Sequence, residues 1–156
     1  MIDINLNDGE NNFNFSEFED YDSLLKAILS TVEEEKDIIR DYTISLIGYD
    51  YDIDFYRVKD LETLFNWYLD INEYEDYEKE AILAYNDLYG FSTNMDKPLD
   101  ELFGKYTCDY DAAYTLLTEY MDFNRDQAIY VLDRLDCVDK IIEGNFDIIN
   151  EMYFWK

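Results

Sequence analysis

The chain has 156 residues, 48% hydrophobic and 18% aromatic, which supplies a folded core but leaves too little length for a large multidomain enzyme. Its 38 Asp and Glu against 12 Lys and Arg give a net charge of −26, far beyond the roughly 2 to 8 that keeps a small domain soluble. Charge of that sign argues against binding nucleic acid or anionic lipid directly. The absence of histidine excludes Ser-His and Cys-His nucleophile pairs, His-ligated zinc and proximal-His haem.

The opening MIDINLNDGENNFNF has no basic region, apolar core segment or cleavage site of a secretory signal. No window of about 18 apolar residues occurs that would span a bilayer, so a cytosolic protein is expected. SEFEDYDSLLKAILSTV carries Ser16 and Glu19 in capping-box spacing, then a stripe of Leu24, Leu25, Ile28 and Leu29, predicting a helix over 16–32. Branched and aromatic residues over 38–47 predict a strand, and GYDYDIDFY predicts a second strand or extended return after Gly48. Leu61, Leu64, Phe65 and Tyr68 recur at helical spacing behind Asp60, a suitable cap. A further helix is expected over 75–89, stopped by Gly90, and KPLDELFG reads as a short helix between Pro98 and Gly104. DAAYTLLTEYMDF predicts an amphipathic helix through Ala113, Leu116, Leu117 and Tyr120. NRDQAIYVLDRLDCVDKIIEG predicts one more, with Asn124 and Gln127 in capping-box spacing and Gly144 at its end. NFDIINEMYFW predicts a terminal strand.

The expected class is α+β and mostly helical, with small antiparallel strands near the N- and C-terminal parts of an elongated acidic molecule. Three units follow: an acidic α/β unit over 1–57, a helical unit over 58–106 and a helical unit over 107–156 with a terminal strand. Cys108 and Cys137 read as reduced, partly buried thiols; two cysteines without histidine make neither a zinc site nor a disulfide framework.

Within GYDYDIDFY, Asp50, Asp52 and Asp54 alternate with Tyr49, Tyr51, Ile53 and Phe55. An extended chain puts the carboxylates on one face, roughly 6.5 to 7 Å apart, and the apolar groups on the other. D-x-D-x-D also opens an EF-hand loop, but that loop needs Gly at its sixth position and Glu at its twelfth, where Phe55 and Leu61 stand. A glycosidase acid and base would need one carboxyl group of raised pKa in an apolar cleft, and among 38 carboxylates a pair is uninformative. No Gly-rich phosphate loop, nucleophile elbow or metal spacing supports an enzyme, and no cofactor is implied.

Acids continue along nearly every predicted element. Asp20 and Asp22 lie on the first predicted helix; Glu33, Glu34, Glu35 and Asp37 follow it, and Asp41 lies in the next segment. Asp60, Glu62, Asp70 and Glu73 accompany the Leu-rich helix. Glu75, Asp76, Glu78, Glu80 and Asp87 lie on its successor, and Asp109, Asp111, Glu119 and Asp122 lie on the DAAYT segment. Each run alone reads as a solvated helix face. Together they leave negative charge unneutralised, since few acids have the Lys four residues later that makes stabilising pairs. Duplex DNA carries one charge per about 1.7 Å of axis, so 26 charges match roughly 45 Å of duplex. A groove lined by Lys and Arg would accept such a surface in place of DNA.

At this point IIRDYTISLIGYDYDIDFYRVKDLETLFNWY resembles the ArdA-type antirestriction proteins. Ile39, Asp41 and Tyr42 match their Ile-x-Asp-Tyr motif, and Leu61 and Leu64 fall on the Leu-rich helix after the acidic return. CDYDAAYTLLTEYMDF is similar to that family's acidic helix, with Tyr120, Asp122 and Phe123 matching the Tyr-x-Asp-aromatic element. The resemblance covers residues 13–125. It implies a curved, dimeric DNA mimic from a phage or mobile element that occupies the DNA groove of type I restriction-modification enzymes.

The expected function is therefore a non-enzymatic anti-defence inhibitor whose partner is a DNA-binding defence enzyme, with the acids named above as its phosphate-like surface. The alternatives are an anti-CRISPR mimic directed at a Cas effector, an acidic immunity protein or antitoxin that plugs one nuclease, and an acidic chaperone for basic proteins.

Overall fold

The alternation of Ile2, Ile4 and Leu6 with Asp3, Asn5 and Asn7 builds the first strand of a computed structural model that describes residues 1–32, 36–135 and 137–156. The strand β1 (Asp3–Asn7) pairs antiparallel with β2 (Asn12–Asn14), Leu6 opposite Phe13. The tight connection is held by Asp8, whose carboxylate accepts the N–H groups of Glu10 at 3.0 Å and Asn11 at 2.7 Å and meets Lys36 Nζ at 3.1 Å. These partners, the Asn11 N–H first, hold Asp8 well below the usual carboxylate range.

On its other edge β1 pairs antiparallel with β3 (Thr43–Ile47), Ile4 opposite Leu46 and Leu6 opposite Ile44, so the order is β2-β1-β3. The apolar side of β1 is buried with α1 (Tyr21–Leu29) and α3 (Leu61–Asn72), through Ile4, Leu6, Leu24, Ile28, Leu64 and Phe65. Each such side chain contributes about 1.5–3 kcal/mol by leaving water. Phe15 joins sheet to helix, its ring 5.3 Å from Phe65 and 5.5 Å from Tyr68. A short helical turn, α2 (Ile38–Asp41), precedes β3, and α4 (Asp76–Tyr89) follows α3 and packs on it.

Contacts divide the chain into two units, Met1–Met95 and Asp96–Lys156. Residues on both sides of position 57 share the first core: Phe55 lies 5.9 Å from Trp67 and Phe15 packs on Phe65. The second unit contains α5 (Asp96–Glu101), β4 (Leu102–Lys105), α6 (Asp109–Thr115), α7 (Arg125–Ile129), α8 (Val138–Asn145), β5 (Phe146–Ile149) and β6 (Met152–Trp155). Its strands form an antiparallel sheet ordered β4-β6-β5. Phe103, Phe146 and Tyr153 of that sheet pack against Ala113, Leu117, Ala128 and Ile142 of the helices.

The class is α+β, 53% helix and 16% strand. Both sheets are antiparallel, and they lie in the N-terminal and C-terminal parts as expected. Helices α3 and α4 begin and end where capping chemistry placed them, at Asp60 and Gly90. Other elements differ. The first helix starts after Asp20, not Ser16, because the Ser16 hydroxyl donates to Asp3 at 2.5 Å while Asp20 accepts the Ser23 N–H. The predicted strand over 38–47 is split: the N–H groups of Arg40 and Asp41 return to the Asp37 carbonyl and form a helical turn, leaving only Thr43–Ile47 for the sheet. Gly104 lies inside β4, not after a helix. The predicted helix of 124–143 is α7, a wider π-helical turn at Tyr130–Arg134 and a separate α8. The terminal strand is a hairpin, and the first two strands, β1 and β2, had no predicted counterpart.

Candidate functional site

Four helix starts gather acidic side chains. Asp20 caps α1, its Oδ1 accepting the Ser23 N–H at 2.8 Å, and Asp22 stands in the first turn. Asp60 caps α3 by accepting the Thr63 N–H at 2.8 Å, with Glu62 beside it. Glu75, Asp76 and Glu78 open α4, Glu78 accepting the Glu75 N–H at 3.0 Å, and Asp109 and Asp111 open α6. The first N–H groups of a helix lack intrahelical partners and carry the positive end of its dipole. Placed there, the carboxylates offset part of their mutual repulsion. Backbone N–H donation from Ser23 and Thr63 holds Asp20 and Asp60 below the usual carboxylate range, so both stay ionised.

The remaining candidates are more dispersed. Asp37 precedes α2 and Asp41 is its last residue, Asp41 accepting the Asp37 N–H at 3.0 Å. Asp70 lies on α3 and Glu73 at its C-terminal cap; Glu80 and Asp87 lie on α4; Glu119 sits in a π-helical turn at Leu116–Tyr120, with Asp122 just beyond it. Glu33, Glu34 and Glu35 lie outside the described residues. Of the twenty described candidates, sixteen are exposed, four (Glu78, Glu80, Asp87 and Asp109) are half-buried, and none is buried. Asp109 is drawn inward by Tyr153, whose O–H donates to Oδ1 at 2.5 Å.

Asp50, Asp52 and Asp54 are not in a strand, because 49–54 joins no sheet. The alternation of faces is nevertheless realised. All three carboxylates are exposed while Tyr49 and Tyr51 are half-buried and Ile53 and Phe55 buried. The Tyr49 and Tyr51 rings stack 6.5 Å apart. Burial of the odd-numbered side chains under the first unit's core produces the pattern without a ladder.

Cations offset little of this charge. Arg40 meets Asp37 at 3.3 Å, Arg57 meets Asp54 at 2.9 Å and Lys79 meets Asp76 at 3.4 Å. The first unit holds 24 acids and 6 bases, or −18; the second holds 14 and 6, or −8. Even one-to-one pairing of every base would leave most carboxylates of the first unit unneutralised. The acidic surface also exceeds the predicted set: Glu10, Glu17 and Glu19 in the first unit and Asp126, Asp133, Asp139 and Glu143 in the second are exposed. Their signal in the sequence was only the uniform density of acids.

Among the described residues no group of three or more Asp, Glu or Cys side chains is arranged to hold a metal ion. Cys108 is exposed, not partly buried, and Cys137 is half-exposed; both are free thiols. An open groove of about 340 Å³ is lined by Arg57, Val58, Lys59, Thr63, Phe91 and Ser92, and another of about 370 Å³ by Phe123, Asn124, Asp126, Gln127, Tyr130 and Val131. Among the described residues no helix is long and apolar enough to cross a membrane. No protein-family model matches the chain, and no curated protein and no solved structure matches it significantly.

Proposed function

We propose that this chain is a non-enzymatic inhibitor that mimics B-form DNA and occupies the DNA-binding groove of a type I restriction-modification enzyme, in the manner of the ArdA-type proteins it resembles. It would act in the cytoplasm of a bacterial host cell on behalf of a phage or mobile element. The observation that carries this reading is the unneutralised acidic surface: −26 overall, with sixteen of twenty described candidate carboxylates exposed on one small protein. A basic groove gains by releasing counterions to such a surface as it does to DNA. Helix-start carboxylates would stand for phosphates, with the aromatic core fixing the elements that bear them.

The test is competition. Purified type I restriction-modification and CRISPR effector complexes are mixed with the protein while duplex DNA is titrated in and salt is varied. Displacement by DNA, weakening steeply with salt, is the expected result, and the responding complex identifies the target. Inhibition indifferent to DNA would replace mimicry with an immunity protein that plugs a nuclease, a class in which a few hot-spot alanine changes abolish binding. Neutralising Asp and Glu in blocks should erode a mimic's inhibition gradually.

A further inference from the structure

Residues 49–54 carry the pattern of a strand that stands off its sheet. Gly48, at φ +84, turns the chain after β3, and the helical turn Phe55–Arg57 packs against α2, the element just before β3. The intervening residues therefore run back antiparallel to β3 along its length. Thr43, Ser45 and Ile47 of β3 are exposed, as are Asp50, Asp52 and Asp54; Ile44 and Leu46 are half-buried, as is Tyr51, and Ile53 is buried. Both segments thus show the exposure of paired strands, but the sheet contains only β1, β2 and β3.

Other bonds hold the return. The Ile53 carbonyl accepts the Phe55 N–H at 2.9 Å, and Arg57 Nε donates to Asp54 at 2.9 Å. Both are local. A tie to a distant element is the Asp52 N–H, which donates to Oδ2 of Asp87 on α4 at 3.1 Å. Asp87 is costly where it stands. It lies near the end of α4, where a carboxylate opposes the helix dipole, in a helix with no basic residue in its last turn and a unit of −18.

We infer that Asp87 is a positioning residue: its carboxylate clamps the Asp52 amide to α4 and thereby presents Asp50, Asp52 and Asp54 outward as a fixed row. The row's use in binding rests on the DNA-mimic reading; the clamp itself does not. A clamp needs an acceptor oxygen, whereas a phosphate substitute needs the charge. Asp87→Asn keeps the oxygen and loses the charge, and Asp87→Ala loses both.

Two readouts on the full chain decide it. Amide hydrogen exchange at Asp52 should quicken roughly tenfold in Asp87→Ala, the protection one charge-assisted hydrogen bond provides, and stay close to wild type in Asp87→Asn. Inhibition of the responding DNA-binding enzyme should weaken in Asp87→Ala and be rescued in Asp87→Asn. Asp52 exchange unchanged in Asp87→Ala overturns the clamp. Equal loss of inhibition in both variants, with Asp52 still protected in Asp87→Asn, overturns the positioning role in favour of direct charge. If the wild-type chain competes with DNA on no enzyme, the mimic reading fails, while the exchange comparison still decides the clamp.

Discussion

Two side chains carry sharp expectations at the scale of the residue. The β5–β6 hairpin closes through Asn150 and Glu151, at φ +48 and +67, the left-handed pair that a two-residue turn of this hand requires and that Asn-Gly fills best. Asn tolerates that region, whereas a longer L side chain there costs roughly 1–2 kcal/mol. Glu151→Gly should therefore raise stability by about 1 kcal/mol, after Gly's greater unfolded-state entropy is offset, read as a higher urea midpoint at unchanged slope. Tyr153 is 2% exposed, and burial first, then its hydrogen bond to Asp109, pushes its phenol above the ordinary value of 10.0. A raised folded-state pKa contributes stability that is fully present below 10 and is lost as pH rises through the folded value. Urea titrations at pH 9, 10 and 11 should show stability falling across that window, and Tyr153→Phe should flatten the fall. An equally steep fall in the variant would refute the assignment.

Helix ends decide the next scale. Asn124 caps α7 by accepting the Gln127 N–H at 3.0 Å, and the Gln127 side chain accepts the Asn124 N–H at 2.9 Å. Asn124→Ala should cost about 1 kcal/mol, and Asn124→Ser much less, by thermal unfolding. At the other end of a helix, Gly90 follows α4 at φ +87, and a Cβ built there would lie 2.4 Å from Arg57 Nη1. Gly90→Ala therefore meets both a disfavoured backbone and the guanidinium that bonds Asp54. A loss of at least roughly 1–2 kcal/mol is expected from the backbone alone, whether or not Arg57 moves aside, and an alanine variant as stable as wild type would refute that strain. Caps were legible because they are local chemistry: Asp60 needs only Thr63, and Asn124 only Gln127. The strand expected over 38–47 is shortened because branched and aromatic residues carry a strand signal along all of it, whereas the helical turn at its start depends on Asp37 and Asp41 closing on each other. Strands β1 and β2 escaped notice because Asp and Asn are poor strand formers, and only the pairing of Ile4 and Leu6 with Leu46 and Ile44 overrides that preference.

Charge governs the molecule as a whole. A net −26 opposes the compact state by self-repulsion. Raising NaCl from 0.01 M to 1 M shortens the Debye length from about 30 Å to about 3 Å. The melting temperature of the free protein should rise over that range, while its inhibition of a DNA-binding enzyme should weaken. A melting temperature that falls with salt would mean that surface ion pairs, not repulsion, dominate. The opposite signs follow from one cause, since the charges that strain the fold are those a basic groove would neutralise. Along an acid titration the caps act oppositely: Asp20 and Asp60 have lowered values, so their contribution is present above about 3.8, the unperturbed value, and is lost as pH falls below it.

Composition and local spacing by themselves determined the charge excess, the absence of histidine chemistry, the α+β class and the caps at Asp60 and Asn124, because each depends on residue type or on neighbours three or four positions away. They also determined the alternation of 49–55, since the apolar residues were bound to turn inward whatever held the backbone. Tertiary structure alone decided that this segment would not join the sheet: the acceptor of the Asp52 N–H is Asp87, 35 positions along the chain. It alone placed Asp8 against Lys36 and Asp109 against Tyr153. Contacts of that range depend on how helices and strands pack, which no local pattern of charge or hydrophobicity encodes.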